Sequence, residues 1–319
     1  MSDLHVVTGG AGFIGSHLVE RLLREGRAVR VVDDYSTGKR ENIEMARSAA
    51  GGTGSIEILE GTLADPEVAR RAVQGASFVL HQAAIPSVPR SVGDPLRTHA
   101  ANATATVNLL VAARDAKVRR FVYASSSSAY GDTPALPKVE TMPTSPLSPY
   151  AIQKLAGEQY ARVFFALYGV PTVCLRYFNV FGPRQDPASE YAAVIPRFIT
   201  AIASGRRPEI YGDGRQTRDF CYVDNAVEAN FLACTAAEDA LGRVYNIACG
   251  RRVSLLDLVG LLNEILAARV EPVHDEPRPG DVRDSLADIA LARQYLGYEV
   301  KVHLEEGLRR TVTFLTGRG

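Results

Sequence analysis

The sequence predicts an α/β protein with a doubly wound parallel-sheet domain followed by a smaller mixed α/β domain. Short apolar runs alternate with longer helical patterns through the first half of the chain, as in repeated strand–helix–strand units. A glycine-rich turn follows the first apolar run. Beyond residue 178 the alternation is lost, and prolines separate shorter elements: Pro183, Pro187, Pro196 and Pro208. We therefore assign 1–178 to the first domain and 179–319 to the second, leaving open whether segments such as 220–250 return to the first.

The predicted strands are short apolar runs, and the predicted helices are the longer segments between them. Six runs have the length of buried strands: 4–8, 28–32, 56–59, 78–81, 121–125 and 172–176. The clearest helix candidates are 13–25, 98–116 and 149–168. Strict alternation of the two indicates a parallel sheet.

Composition and charge exclude several classes of protein. The 319 residues are 46% hydrophobic and 23% charged, within the globular range, and 36 basic residues balance 36 acidic ones. A general nucleic-acid or membrane-surface binder usually has a basic excess, so we expect neither partner. Four cysteines without a CxxC pair indicate reduced thiols and no metal site. Residues 1–8 do not resemble a signal peptide, and no apolar run approaches about 18 residues. We expect a soluble cytoplasmic protein.

The segment TGGAGFIG predicts a phosphate-binding turn of the Rossmann type. Gly9, Gly12 and Gly15 lie between the first strand and the first helix. Glycines let the backbone approach a pyrophosphate, and the helix N-terminus offers unpaired N–H groups. Asp33 ends the second strand, where a carboxylate can bind ribose hydroxyls and repel a 2′-phosphate. Asp34 adds to that repulsion, so NAD is expected rather than NADP.

Tyr150 and Lys154 form the candidate catalytic pair. The same YxxxK spacing occurs at Tyr35 and Lys39, but that pair lies in a loop after the second strand, so we interpret it as coincidence or as part of a cofactor-side loop. Tyr150 instead opens a predicted helix, with Ser148 as N-cap, so positions i and i+4 share one face.

The chemistry that we expect of Tyr150 depends on whether its phenol is ionised. A free tyrosine has a pKa near 10. A neighbouring ammonium, the helix N-terminus and an oxidised nicotinamide would each favour the phenolate, giving a base for a sugar hydroxyl. The serines at 125–128 follow the fifth strand, where a hydroxyl can bind the same substrate oxygen.

Together these features resemble the extended short-chain dehydrogenase/reductases. More closely, they are similar to the sugar-nucleotide 4-epimerases, especially the group that acts on UDP-N-acetylglucosamine. The resemblance runs from residue 4 to about 315 and rests on TGGAGFIGSHL, VLHQAA, SSSSAYGD, SPYAIQK, LRYFNVFGPRQDP, YGDGRQTRDFCYV and RPGDVRDSLAD.

The resemblance implies a UDP-hexose 4-epimerase with tightly bound NAD and a 4-keto intermediate. It would interconvert UDP-glucose with UDP-galactose, and UDP-N-acetylglucosamine with UDP-N-acetylgalactosamine, as a homodimer built on helices 98–116 and 149–168. The catalytic residues would be Ser126, Tyr150 and Lys154. Cofactor contacts would come from Gly9, Gly12, Phe13, Ile14, Gly15, Asp33, Asp34, Leu63, Gln82, Ala83, Ala84, Tyr150 and Lys154. Substrate contacts would come from Ser87, Ser126, Ser127, Asn179, Gln185, Ala193, Val194, Arg218, Arg278, Asp281 and Ser285.

Two departures bear on the site. Thr62 stands where relatives usually carry Asp beside the adenine. Pro86 stands where relatives that prefer N-acetyl sugars tend to have Gly, whereas Ser285 replaces the bulky Tyr of enzymes restricted to UDP-glucose and UDP-galactose.

Three alternatives remain open. A 4,6-dehydratase needs an Asp-Glu pair where Ser127 and Ser128 stand. A UDP-glucuronate 4-epimerase is expected to carry Thr and a second Arg, where this chain has Asn179 and Asp186. A non-catalytic NAD-sensing protein would have no use for the catalytic set at Ser126, Tyr150 and Lys154.

Overall fold

The computed structural model describes residues 3–187, 193–276 and 282–317. The strands are β1 Leu4–Thr8, β2 Ala28–Asp33, β3 Ser55–Glu60, β4 Ala76–His81, β5 Arg120–Ser126, β6 Thr172–Tyr177, β7 Val180–Phe181, β8 Glu209–Tyr211, β9 Thr217–Asp219, β10 Cys221–Tyr222, β11 Arg243–Ile247, β12 Arg252–Ser254 and β13 Val273–Asp275. The helices are α1 Phe13–Arg24, α2 Arg40–Ala50, α3 Pro66–Val73, α4 Val88–Gly93, α5 Pro95–His99, α6 Ala105–Asp115, α7 Pro149–Tyr168, α8 Val194–Ala203, α9 Val223–Thr235, α10 Leu255–Leu266, α11 Ala290–Leu296 and α12 Leu304–Thr316.

Seven strands form one parallel sheet in the order β11-β6-β5-β4-β1-β2-β3. The predicted doubly wound α/β fold is confirmed. The strand order reverses between β1 and β4, so the loops that follow these two strands diverge. In open α/β sheets this reversal opens the crevice where ligands bind.

Helices cover both faces of the sheet, which explains why the strands are continuously apolar. Neighbouring residues of one strand face opposite sides. Val7 packs in one core with Leu18 of α1, whereas Val6 packs in a second core with Leu109 of α6. Burying a side chain of this size contributes about 1.5–3 kcal/mol relative to leaving it exposed.

The predicted helix 98–116 is interrupted in the structure. A helix begins earlier, at Pro95, because the Asp94 carboxylate accepts a hydrogen bond from the backbone N–H of Arg97 at 3.0 Å. A π-helical turn, Ala100–Thr104, then joins α5 to α6. Apolar periodicity alone does not distinguish such a turn from a continuous α-helix. The predicted helix 149–168 is observed as α7 with the same bounds.

Part of the segment 220–250 lies with the main sheet. β11 pairs with β6 in parallel, with Val244 opposite Cys174, and α9 packs against α1, β5 and β6. Other short elements form a smaller lobe, in which β8 pairs with β13, β9 pairs with β12, and α8, α10 and α12 pack together. α11 instead packs against β11 and α9. Within the described ranges, no helix is both long and apolar enough to cross a membrane.

Candidate active site

The turn between β1 and α1 is tight enough to require glycine. A Cβ on Gly15 would lie 2.1 Å from the carbonyl oxygen of Gly9. Gly9 has φ +66°, and a Cβ there would lie 2.7 Å from the backbone nitrogen of Ala83. Gly12 caps α1 without a side-chain hydrogen bond, so the first N–H groups of the helix stay available. This cradle fits a dinucleotide pyrophosphate.

Asp33 lines the cavity and also holds the turn between β1 and α1 in place. Its carboxylate accepts hydrogen bonds from the backbone N–H groups of Ala11 and Tyr35, both at 2.9 Å. Burial raises the pKa of Asp33, and these two bonds lower it in part. A Cβ on Gly38 would lie 2.8 Å from this carboxylate. The loop after β2 therefore closes around Asp33, leaving room for hydroxyl donors on the cavity side.

A cavity of about 630 Å³ lies at the carboxyl ends of β1, β2, β4 and β5. Sixteen predicted site residues line it: Gly9, Gly12, Phe13, Ile14, Gly15, Asp33, Asp34, Leu63, Gln82, Ala83, Ala84, Ser87, Tyr150, Lys154, Gln185 and Ala193. Thr62 and Pro86, the two departures, line it too.

Other predicted residues lie elsewhere. Six described ones are not among the lining residues: Ser126, Ser127, Asn179, Val194, Arg218 and Ser285. Arg278 and Asp281 fall outside the described part of the chain. The prediction omitted several polar lining residues, including Ser125, Tyr177, Lys39, Arg90, Arg184 and Asp186. Ser125 lies in the serine run, and Arg184 and Asp186 lie in the GPRQDP motif. Their positions beside predicted contact residues are the signal that could have identified them.

Ser126 lies beside the phenol of Tyr150 although it does not line the cavity. Its Oγ accepts hydrogen bonds from the backbone N–H and the hydroxyl of Ser128, at 3.2 and 2.9 Å. Because these bonds use its lone pairs, the Ser126 proton remains to be donated to Tyr150, and the contact between the two side chains lowers the pKa of the phenol. Two of the three predicted catalytic side chains are therefore in contact.

The start of α7 is held firmly. Ser148 accepts a hydrogen bond from the N–H of Ala151 at 3.2 Å, and Pro149 takes the first helical position. The N–H of Tyr150 donates to the Ser91 hydroxyl at 3.0 Å. One turn further, Lys154 is 4% exposed, and its ammonium lies 4.9 Å from the ring centre of Tyr123.

The pKa values of the pair correct one expectation. Burial raises the pKa of Tyr150, and this outweighs the opposing effect of the Ser126 hydrogen bond. Burial also lowers the pKa of Lys154 to about 8. The expectation that the lysine and the helix N-terminus lower the pKa of the phenol is wrong for the protein's own groups, because desolvation dominates. Of the three groups expected to lower the pKa of the phenol, only the positive charge of an oxidised nicotinamide remains.

A buried amide pair joins the cavity wall to the catalytic helix. The side-chain oxygen of Asn102 accepts from the N–H of Ile85 at 2.7 Å, and its nitrogen donates to the Ile85 carbonyl at 3.2 Å. The same nitrogen donates to Gln153 at 2.8 Å. Gln153 lies between Tyr150 and Lys154 on α7, so Asn102 fixes the loop after β4 relative to these two candidate catalytic residues.

The hydrogen-bond directions around His81 can be deduced. Thr106 donates its proton to the carbonyl of Asn102 at 2.6 Å, so its oxygen accepts from His81 Nε2 at 2.9 Å. His81 Nδ1 then accepts from the Thr8 hydroxyl at 2.7 Å. Burial, with a smaller effect from Lys154, lowers the pKa of His81 to about 3, so the ring is neutral. This series of hydrogen bonds links β1, β4 and α6, and none of its groups is charged.

An ion pair links two loops that line the cavity. Lys39, in the loop after β2, lies 2.9 Å from the carboxylate of Asp186, in the loop after β7. This offsets the negative charge of Asp186. The sequence argument that Asp186 repels a sugar carboxylate is weakened, because that argument took the charge as unpaired.

Three predicted substrate residues converge on β9. Arg218 lies in this strand and donates to the carbonyls of Thr217 and Arg283, at 2.9 and 3.0 Å. Asn179 donates to the carbonyl of Asp219 at 3.3 Å. Ser285 is 7% exposed, and its N–H donates to the carbonyl of Thr217 at 3.1 Å.

Comparison with known proteins identifies the family. The matching family model is the NAD dependent epimerase/dehydratase family, over residues 5–248. A UDP-glucose 4-epimerase of Mycolicibacterium smegmatis is 39% identical over 315 residues, 98% of each chain. Among solved structures, the UDP-N-acetylglucosamine 4-epimerase from Methanobrevibacter ruminantium, in complex with UDP-N-acetylmuramic acid, has a TM-score of 0.91 at 37% identity, covering 99% of this chain and 98% of that one. The Thermus thermophilus UDP-glucose 4-epimerase in complex with NAD has a TM-score of 0.87 at 36% identity, covering 98% of this chain and 99% of that one.

These matches cover nearly the whole chain and confirm the resemblance inferred from the motifs. The glycine turn, the available helix N-terminus and Asp33 fit the cofactor of this family, which is NAD. The chain is therefore a member of the NAD-dependent epimerase/dehydratase family.

Proposed function

We propose that the protein is a UDP-hexose 4-epimerase acting on UDP-glucose and UDP-galactose, and also on UDP-N-acetylglucosamine and UDP-N-acetylgalactosamine. The observation that carries this proposal is the contact of Ser126 with Tyr150, one helical turn from Lys154, at a cavity that begins at a dinucleotide-binding turn. The relatives named above support both sugar series. The missing acid pair at Ser127 and Ser128 argues against a dehydratase.

The chain's own side chains supply the proton chemistry. NAD, held by the glycine turn and Asp33, would supply a hydride acceptor and donor for C4 of the sugar. Tyr150 removes the proton of the 4-hydroxyl as general base and restores it as general acid. Ser126, which already donates toward the phenol, shares the same sugar oxygen. Lys154, one helical turn further along α7, adds a buried positive charge to the same cavity wall, but burial still dominates the pKa of the phenol. Inversion at C4 would require the 4-keto sugar to turn within the cavity so that it presents its other face.

The nucleotide would be held by the smaller lobe. Gln185 lines the cavity, and its side-chain oxygen is buried without a hydrogen bond from any residue of the described chain. A buried acceptor of this kind needs a donor, such as a ribose hydroxyl or the uracil N–H. We propose that Asn179, Ala193, Val194 and Arg218 complete this contact. For Arg278 and Asp281 the proposal rests on the resemblance alone.

Ser285 is the residue we propose for sugar size. Its small side chain leaves room for a 2-acetamido group, and the Ser127 hydroxyl would donate to that group. Ser285→Tyr should abolish activity on UDP-N-acetylglucosamine and keep most of the activity on UDP-glucose, because added bulk penalises only the larger sugar. If the unmodified enzyme ignores UDP-N-acetylglucosamine, Pro86 is the better candidate for the limiting residue.

The direct test is incubation of the purified protein with one sugar nucleotide at a time and no added cofactor. UDP-glucose, UDP-N-acetylglucosamine and UDP-glucuronate are supplied separately, and the epimers are resolved by chromatography. We expect conversion of the first two and NAD released only on denaturation. Conversion of UDP-glucuronate alone, or turnover that requires stoichiometric NADH, would overturn the proposal.

We further propose a homodimer formed through α7, as expected, and through α5, which overlaps only the start of the predicted helix 98–116. Ile152, Tyr160, Val163 and Leu167 are 45–70% exposed and lie within one quarter of the circumference of α7. Leu96 of α5 is 83% exposed, and α5 packs against α7. An apolar stripe of this length is typical of a surface that a second copy covers. Light scattering should give twice the chain mass, and Val163→Glu should give the monomer; a monomeric wild-type protein would contradict this.

A further inference from the structure

Arg184 is a cavity residue whose side chain is nearly enclosed. It lies in the loop after β7, with φ +65°, a conformation that non-glycine residues rarely adopt. Its side chain is only 7% exposed, yet it lines the same cavity as the glycine turn. A strained backbone at a cavity wall indicates that the position of this side chain is used.

The guanidinium makes fewer bonds than its burial requires. One terminal nitrogen, Nη2, pairs with the Glu20 carboxylate of α1. The other two nitrogens, Nε and Nη1, are buried and donate to no residue in the described ranges. An arginine does not lose its proton, and a buried donor without a partner is costly. These nitrogens therefore need an acceptor that the described chain does not supply.

The surroundings define the acceptor. His17 donates through Nε2 to the carbonyl of Pro183 at 2.9 Å, and burial, with Arg184 as the second cause, lowers the pKa of His17 to about 4. The ring is neutral and offers no negative charge. Nε and Nη1 lie on different edges of the guanidinium, so one oxygen does not satisfy both. A diphosphate carries several anionic oxygens and suits an arginine.

We propose that Arg184 binds a diphosphate in the cavity through its Nε and Nη1 groups. Two ligands of the site carry this chemistry, NAD and the UDP-sugar. The UDP half of the inference rests on the proposed function, whereas the NAD half does not. Glu20 then orients the guanidinium from behind, and the loop after β7 becomes part of the anion site that begins at α1.

The competing explanation is purely structural, with Arg184 only tying its loop to α1 through Glu20. The two explanations differ in Glu20→Gln. That variant removes the charge of the tie and leaves the arginine nitrogens in place, whereas Arg184→Gln removes the nitrogens themselves. Arg184→Lys keeps a positive charge but loses the additional donors.

The experiment uses the three variants as purified holoenzymes, without turnover. The rate at which NAD leaves the protein on dilution is measured, and the affinities for UDP and for uridine are measured by titration calorimetry. Uridine lacks the diphosphate, so the UDP/uridine ratio reports on that group alone. Charge-assisted bonds of this kind correspond to about 10- to 100-fold in affinity.

In Arg184→Gln we expect one of two results. If Arg184 binds the diphosphate of NAD, NAD release accelerates about 10- to 100-fold; if it binds that of the UDP-sugar, the ratio of the affinities for UDP and uridine falls by the same factor. Glu20→Gln keeps the arginine nitrogens and leaves an amide oxygen that can still orient them, so its loss in either measurement should be clearly smaller than that of Arg184→Gln. Unchanged values in Arg184→Gln, or an equal loss in Glu20→Gln, would overturn the inference.

Arg184→Lys provides the test if Arg184→Gln does not fold. We expect a loss between those of wild type and Arg184→Gln, and wild-type behaviour in both measurements would overturn the inference. An effect on NAD release in a protein without epimerase activity would refute the proposed function and leave this inference standing.

Discussion

Replacing Lys154 by methionine removes a charge that the fold buries, so we expect the variant to be more stable than wild type at neutral pH. Lys154 is 4% exposed, and burial lowers its pKa from 10.5 to about 8. Methionine has a similar length and no charge. The gain in stability would come at a residue that the proposed function needs for activity, a common trade-off in enzymes.

The magnitude follows from proton linkage. Since the folded pKa lies below the unfolded one, the unfolded wild type binds more protons between about pH 8 and 10.5, and its stability rises with pH across that window. The charge on Lys154 costs the fold about 3 kcal/mol at pH 7 and about 1 kcal/mol at pH 9.5. The advantage of Lys154→Met should therefore shrink by about 2 kcal/mol between the two pH values.

Urea unfolding of both proteins, freed of nucleotide, at pH 7 and 9.5 measures this difference. Packing of the methionine contributes equally at both pH values and cancels. Lys301→Met is the matched control, because Lys301 is 58% exposed and pairs with Glu299 on the surface. It should change the free energy of unfolding by less than about 0.5 kcal/mol at either pH. An advantage for Lys154→Met that does not shrink with pH would refute the role of burial.

Three further predictions concern the catalytic base, the turn and the cavity wall. Tyr150→Phe should lower turnover by about 10²–10⁴-fold with the NAD content unchanged, and near wild-type turnover would remove Tyr150 from the mechanism. Gly15→Ala places a Cβ 2.1 Å from the Gly9 carbonyl oxygen, so the purified variant should contain little NAD; full occupancy would contradict the tight turn. Asn102→Leu leaves the N–H of Ile85 unpaired in the interior and should cost about 1–3 kcal/mol in urea unfolding, whereas an unchanged midpoint would show that the bond is dispensable.

The sequence predicted the sheet well because strand patterns and turn chemistry are local. The six predicted strands are present, with bounds shifted by at most two residues, and α7 has its predicted bounds. The interruption of the helix 98–116 was not predicted. Asn102, inside the π-helical turn, bonds to Ile85 and Gln153, which are distant in sequence and which local periodicity does not reveal. Whether β11 joins the main sheet was left open for a similar reason, because its partner β6 lies about 70 residues earlier in the chain.

Within the site, the sequence placed residues better than it predicted their electrostatics. Lys39 was interpreted either as half of a coincidental YxxxK pair or as part of a cofactor-side loop, and it lines the cavity and pairs with Asp186. Arg184 lies inside a quoted motif but was given no role. Both side chains act across the fold, on partners that no sequence pattern connects. The pKa of Tyr150 was misjudged because burial, which opposes the effect of a neighbouring cation, depends on the whole fold.

The direction of that shift has a consequence for catalysis. Burial raises the pKa of Tyr150 and lowers that of Lys154, so the interior opposes a charge on either side chain. In the protein alone the phenol therefore stays protonated at neutral pH despite the charge of Lys154, and positive charge from a ligand close to it would favour its ionisation. An oxidised dinucleotide brings such charge, and its reduced form does not. The base would thus be strong only when the cofactor is able to accept hydride, and the phenol would hold its proton in the other state. A single buried pair can in this way couple proton removal to the oxidation state of the bound cofactor.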